Sequence, residues 1–175
     1  RSASNDSNVT VTSTLPIMTD NVTFTFGGKS ETVQLIVVPD DRTNDLDDYV
    51  RLEDESKEPL PLRDGDVYLS KSSQLVLGIQ PGDTAHVQDS SLNVAKVKVS
   101  DISLNYLGNT LYMTQGTYER AFGRSARLNG VFVLLKGSSA DQIAFSKKLK
   151  SDGWLSISST AEHWENFEAN FTIIN

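Results

Sequence analysis

Between residues 21 and 38 the chain alternates apolar and polar side chains on both sides of a glycine pair, and this feature constrains the fold more than any other. Val22, Phe24 and Phe26 alternate with Thr23 and Thr25; Gly27 and Gly28 follow, and an apolar-rich segment then runs over residues 32–38. Period-two alternation buries one face of a strand, and adjacent glycines reach the positive φ angles that tight hairpin turns require. A β-hairpin is therefore expected, ended at Pro39.

The full length of 175 residues allows one domain or two small lobes with a substantial core, and a hydrophobic content of 38% is ordinary for a folded chain. Sixteen Lys and Arg against 23 Asp and Glu leave a formal charge of −7, so no nucleic-acid partner is expected. The absence of Cys excludes a disulfide framework, a thiolate nucleophile and any Cys-ligated metal. The longest apolar runs, at 35–38 and 131–135, fall far short of the roughly 20 residues of a membrane-spanning helix. The opening stretch RSASNDSNVTVTST lacks a start Met and an apolar signal region, as expected of a piece of a larger protein. It is dominated by Ser, Thr and Asn, so residues 1–19 are expected as a flexible tail or linker. Val9, Val11 and Leu15 fall on one face of a period-two pattern there, interrupted by Ser13.

Residues 40–64 are acidic and carry Pro59 and Pro61, which suggests a connector with a short helix at 46–52. Beyond them come a strand at VYLS, then a short helix with Ser70 as its N-cap and Gly78 as its terminator. Strands at 84–87, 93–99 and 111–113 follow, and then a helix capped by Thr114 and stopped by Gly123. The last third reads as strand, helix, strand: an apolar run at 131–135, a capping box over 139–142 with Gly153 closing the helix, and alternation at 154–158. A second capping box, Ser159 with Glu162, precedes Trp164, Phe167, Phe171 and Ile174, whose spacing predicts an amphipathic final helix.

Catalytic signatures are lacking. The two nearest approaches to a nucleophile elbow, at 123–127 and 137–141, lack the closing glycine, and Ser70 and Lys71 are expected to point to opposite faces. The acidic run Asp40, Asp41, Asp45, Asp47 and Asp48 departs from a calcium loop, with Leu46 at the glycine position and Leu52 at the final ligand position, so it reads as a solvated loop. His86 and His163 fall on separate elements. Arg120, Arg124 and Arg127, and likewise Lys147, Lys148 and Lys150, read as solvated helix faces. No catalytic, cofactor-binding or metal-binding residue is expected, and the chain is not expected to be an enzyme.

GDVYLSKSSQLVLGIQPGDTAHVQ at 65–88, followed by NVAKVKVSDI at 93–102 and NTLYMTQGTYERAFG at 109–123, resembles the extracytoplasmic domain of FtsX-like and MacB-like ABC transporter permeases. The turn that carries the likeness is Leu77-Gly78 followed by Pro81-Gly82-Asp83-Thr84, which makes Gly78, Gly82 and Asp83 fold-defining. The resemblance implies a two-lobed α+β domain. A βαβ-containing, membrane-proximal, porter-like lobe would come from 20–58 and 124–175, with an inserted β-rich lobe at 59–123. It also implies a non-catalytic part of a permease in the cell membrane, on the extracytoplasmic side. A Gram-positive cell is expected, which the lack of Cys suits. There the domain would transmit ATP-driven motion of transmembrane helices to an extracytoplasmic substrate or protein partner, with Trp164, Phe167, Phe171 and Ile174 as the coupling helix. Its partners would be its own transmembrane helices, a cytoplasmic ABC ATPase and a second permease copy. ATP would bind the ATPase, since this chain has no phosphate-binding loop. The alternative is a stand-alone cell-surface binding or sensor domain.

Overall fold

A computed structural model describes residues 10–104, 108–136, 140, 141, 144, 147, 148, 156–160 and 168–174. The fold is α+β. Its elements are β1 (Thr10–Phe26), β2 (Lys29–Val38), a 3-10 helix (Asp40–Asp48), β3 (Val67–Ser70), α1 (Lys71–Leu77), β4 (Thr84–Gln88), β5 (Val94–Lys98) and β6 (Asp101–Ser103). They continue with β7 (Thr110–Thr114), α2 (Gln115–Phe122), β8 (Gly130–Lys136), β9 (Ser156–Thr160) and β10 (Glu168–Ile174). The chain divides into two compact units, Ile17–Leu128 and Arg1–Pro16 with Asn129–Asn175, so β1 contributes to both.

In the first unit the expected hairpin forms. Phe26 pairs with Lys29 across a two-residue turn in which Gly27 and Gly28 hold φ of 59° and 78°. Strand β2 runs parallel to β7, β7 antiparallel to β3, and β3 parallel to β6, giving the order β6-β3-β7-β2-β1. Strand β4 pairs with β1 and with β5. Val22, Phe24, Leu35, Val37, Leu69, Leu111 and Met113 form the centre of the core, joined by Leu77 of α1 and Tyr118 of α2. The alternate residues Ile36 and Tyr112 are buried as well, so β2 and β7 are covered on both faces, as parallel neighbours usually are.

This single core spans 22–118, so the hairpin expected in one lobe with 124–175 packs instead with 67–114. Long-range pairing decides this, through β2 with β7 and β1 with β4. The helix expected at 46–52 is replaced by the 3-10 helix over Asp40–Asp48. Tyr49 and Val50 both donate backbone N–H groups to the Leu46 carbonyl, after which the chain extends so that Glu53 can bridge to Pro59 and Leu104.

In the second unit the tail expected over 1–19 is strand from Thr10 onward, and Leu15 is fully buried. Threonine and valine suit a pleated backbone as well as a solvated one, and Thr12 Oγ1 donates to the Leu134 carbonyl at 3.1 Å. Strand β8 lies between β1 and β10, and β10 runs antiparallel to both β8 and β9. Strands β8 and β9 therefore run the same way with β10 between them. Ala140, Asp141, Ala144, Lys147 and Lys148 are helical, so the segment is a split strand, helix, strand unit. The residues expected to cap that helix, Ser139, Gln142 and Gly153, lie outside the described residues.

The expected final helix is not present where it can be described. Phe171 and Ile174 lie on β10, where Phe171 pairs with Val133 and Ser159 and Ile174 with Gly130 and Ser156. Trp164 and Phe167 lie outside the described residues. The run Phe171-Thr172-Ile173-Ile174 is aromatic and β-branched, a composition that favours strand once a partner strand is available.

Candidate functional site

Gly78 closes α1 with φ of 68° and donates its N–H to the Gln74 carbonyl at 2.8 Å. The chain then folds back on itself. Gln80 N–H donates to Asp83 Oδ2 at 2.9 Å, and Asp83 N–H returns a bond to the Gln80 carbonyl at 3.0 Å. Gly82, at φ of 96°, donates to the Val99 carbonyl, and Val99 donates to the Asp83 carbonyl. Gly82 and Asp83 thus meet in one turn that starts β4 beside the end of β5, with Gly78 one step earlier.

Gln80 and Pro81 of this turn form one wall of a cleft of about 410 Å³. Lys71 and Gln74 of α1 supply the second wall, Asp101 and Ile102 of β6 the third, and a turn at Asp54, Glu55 and Ser56 the rim. Asp54 shapes that turn by accepting from the N–H groups of Ser56 and Glu58 on Oδ1, at 2.8 and 2.9 Å, while Lys57 takes φ of 62°. Asp101 Oδ1 accepts from Ile102 N–H at 2.8 Å. Lys71 is ion-paired with Glu55. Gln74 is 7% exposed, and its Oε1 is buried with no hydrogen-bond partner.

Ser70 occupies the N-cap position of α1, but the backbone N–H its hydroxyl accepts from, at 3.1 Å, is that of Thr110 and not one of the helix. Thr114 does cap α2, accepting from Thr117 N–H at 3.3 Å, and Gly123 ends that helix at φ of 66°.

The acidic run disperses. Asp40 Oδ1 accepts from Gly116 N–H at the start of α2, 2.9 Å away, and Asp45 pairs with Arg42 at 2.5 Å. Among the described residues no three His, Cys, Asp or Glu side chains gather closely enough to hold a metal ion. His86 is exposed on β4 in register with Lys96, and His163 lies outside the described residues. The arginine group separates as well: Arg120 pairs with Asp64 at 2.5 Å, Arg124 lies 3.6 Å from Asp89, and Arg127 is exposed. Lys150 lies outside the described residues.

Two groups escaped sequence reasoning. Asp89, 6% exposed, accepts from the N–H groups of Ser91 and Asn93 and from Asn93 Nδ2, and so fixes the β4–β5 loop in which Leu92 holds φ of 68°. An Asp four residues before an Asn is the signal that could have found it. Gln74 gave no signal, because a glutamine on a short helix ordinarily faces water. Tyr68 is a further enclosed polar group near this edge. Its hydroxyl donates to the Pro61 carbonyl at 2.6 Å, and burial followed by the nearby Asp66 carboxylate pushes its pKa well above the usual phenol value.

No family model matches the chain, and no curated protein does. Among solved structures it is similar to one described as the crystal structure of the extracellular domain of noncanonic ABC-type transporter YknZ from Gram-positive bacteria. The identity is 16% and the TM-score 0.46, over 94% of this chain and 82% of that chain.

Proposed function

We propose that this chain is an extracytoplasmic, non-catalytic domain of an ABC transporter permease of the FtsX-like and MacB-like kind. The observation that carries the reading is the run at 65–123 with its Gly78, Gly82 and Asp83 turn, followed by a split strand, helix, strand unit over 130–174. In this reading the domain sits outside a Gram-positive cell membrane, and ATP binds a separate cytoplasmic ATPase. The domain passes on displacement of the transmembrane helices to a substrate or partner. The coupling path is a sheet, not a helix. The start of β1 and the whole of β10 flank β8, so motion applied near either end of the chain loads backbone hydrogen bonds to β8.

The test is the parent gene. Segments of about 20 apolar residues are expected before Arg1 and after Asn175, with an ATPase frame adjoining. A gene without such segments overturns the reading and leaves the stand-alone surface binding domain, which the cleft around Gln74 favours.

A further inference from the structure

We infer that the outer edge of β5 takes an extended, acidic peptide segment as an additional strand. The inference is independent of the transporter reading, because every residue it uses lies within the unit Ile17–Leu128. Among the described residues β5 pairs with β4 alone, and the register fixes which backbone groups that pairing consumes. Asp89 N–H donates to the Asn93 carbonyl at one end of the ladder, and Val99 N–H to the Asp83 carbonyl at the other. Ladder bonds alternate along an antiparallel pair, so Ala95 and Val97 exchange theirs with Val87 and Ala85. The N–H and C=O groups of Val94, Lys96 and Lys98 therefore point away from β4. The next amide on that side, Ser100 N–H, donates to the Val67 carbonyl at 2.8 Å. The edge thus closes at Ser100 and stays open over the five residues of β5, as a template for main-chain pairing.

The side chains select the occupant. Ala95 and Val97 are buried, while Val94, Lys96 and Lys98 face solvent, Val94 being 58% exposed. Thr84, His86 and Gln88 of β4 share that face through the pairs Thr84–Lys98, His86–Lys96 and Gln88–Val94. None of these residues is acidic, and neither lysine has an ion-pair partner among the described residues. In a chain of net charge −7 this is an uncompensated positive strip along an open edge. Opposite charges facing one another across two strands stabilise the pair, and like charges destabilise it. A second copy docking antiparallel by the same edge would bring lysine towards lysine, which is how edge lysines discourage self-association. A segment with Glu or Asp at alternate positions meets the opposite condition, so the same two lysines that refuse a copy select an acidic strand.

The experiment is an amide-shift and hydrogen-exchange titration of the full chain, labelled with ¹⁵N, against end-blocked peptides. The probe is Thr-Glu-Val-Glu-Val-Glu-Thr; one control replaces its Glu by Lys, and another keeps the Glu but N-methylates alternate backbone amides. Saturable binding of the probe is expected, with exchange slowed at the amides of Val94, Lys96 and Lys98 and unchanged at Ala95 and Val97, which already bond to β4. Neither control is expected to bind: the first has the wrong charge, and the second has the right charge without the donors. Lys96→Glu combined with Lys98→Glu alters only exposed side chains, and is expected to weaken the acidic probe by about tenfold and to favour the lysine peptide. Absence of saturation, equal binding of the N-methylated peptide, protection without the alternating pattern, or an unchanged preference in the variant overturns the proposal. Concentration-dependent protection of the same amides without peptide also overturns it, and assigns the edge to a second copy.

Discussion

Ser103, on the outermost strand β6, is fully buried and its hydroxyl has no hydrogen-bond partner. Enclosing a hydroxyl without a partner costs about 1–3 kcal/mol, while losing its single oxygen leaves only a small void. Ser103→Ala is therefore expected to hold stability level or raise it by about 1 kcal/mol. The urea midpoint at fixed slope measures this, and a lowered midpoint would show that the hydroxyl has a partner after all. Gln74 Oε1 is a second buried acceptor without a partner. Neither orphan was legible in the sequence, since satisfaction of a polar group depends on neighbours far along the chain. What was legible at this scale is local backbone geometry. Gly27, Gly28, Gly78 and Gly123 all sit at positive φ, where the turn and helix-end patterns put them, because a left-handed residue is required within the few residues that define each pattern.

Helix α2 shows how elements here depend on distant side chains. Its own Thr114 caps one amide, but Gly116 N–H is received by Asp40, 76 residues earlier, and Arg120 is drawn to Asp64. A carboxylate at a helix N-terminus accepts an unpaired N–H and suits the helix dipole. Asp40→Ala is expected to cost about 1 kcal/mol in thermal unfolding, whereas Asp41→Ala, whose carboxylate bonds nothing among the described residues, is expected to cost almost nothing. Equal effects of the two would remove this role from Asp40. The acidic run was visible in the sequence, but its use at α2 was not, because nothing within ten residues of Asp40 encodes Gly116. The same limit explains the last element. Phe171 and Ile174 share a face at helical spacing, yet they also belong to a β-branched run, and pairing with Val133 and Gly130 selects the strand. Elements with a closing signal of their own were legible: α1 through Gly78, α2 through Thr114 and Gly123, and the β1–β2 hairpin through its glycine pair. Those settled by a partner strand, β10 and the start of β1, were not.

For the molecule as a whole, the tyrosines set an alkaline limit. Burial is the first cause that raises the pKa of Tyr68, Tyr112 and Tyr118 above the ordinary phenol value. Below pH of about 10 each is neutral in folded and unfolded chains alike, and its full contribution to stability is present. Above that value the unfolded chain releases protons that the folded chain retains, so stability falls as pH rises. Urea midpoints are expected to be flat from neutral pH to about 10 and to decline steadily beyond it. A midpoint that holds constant to pH of about 11 would contradict the burial of these rings.

Strand β8 joins residues from opposite ends of the chain, and Thr12 reaches Leu134 across 122 positions. A ribosome adds about 5–20 residues each second, so the newborn segment around Thr12 waits on the order of ten seconds for its partner to emerge. During that interval Ile17–Leu128 already holds everything its own core requires, whereas the opening stretch remains an unmated edge, exposed to capture by any other extended chain nearby.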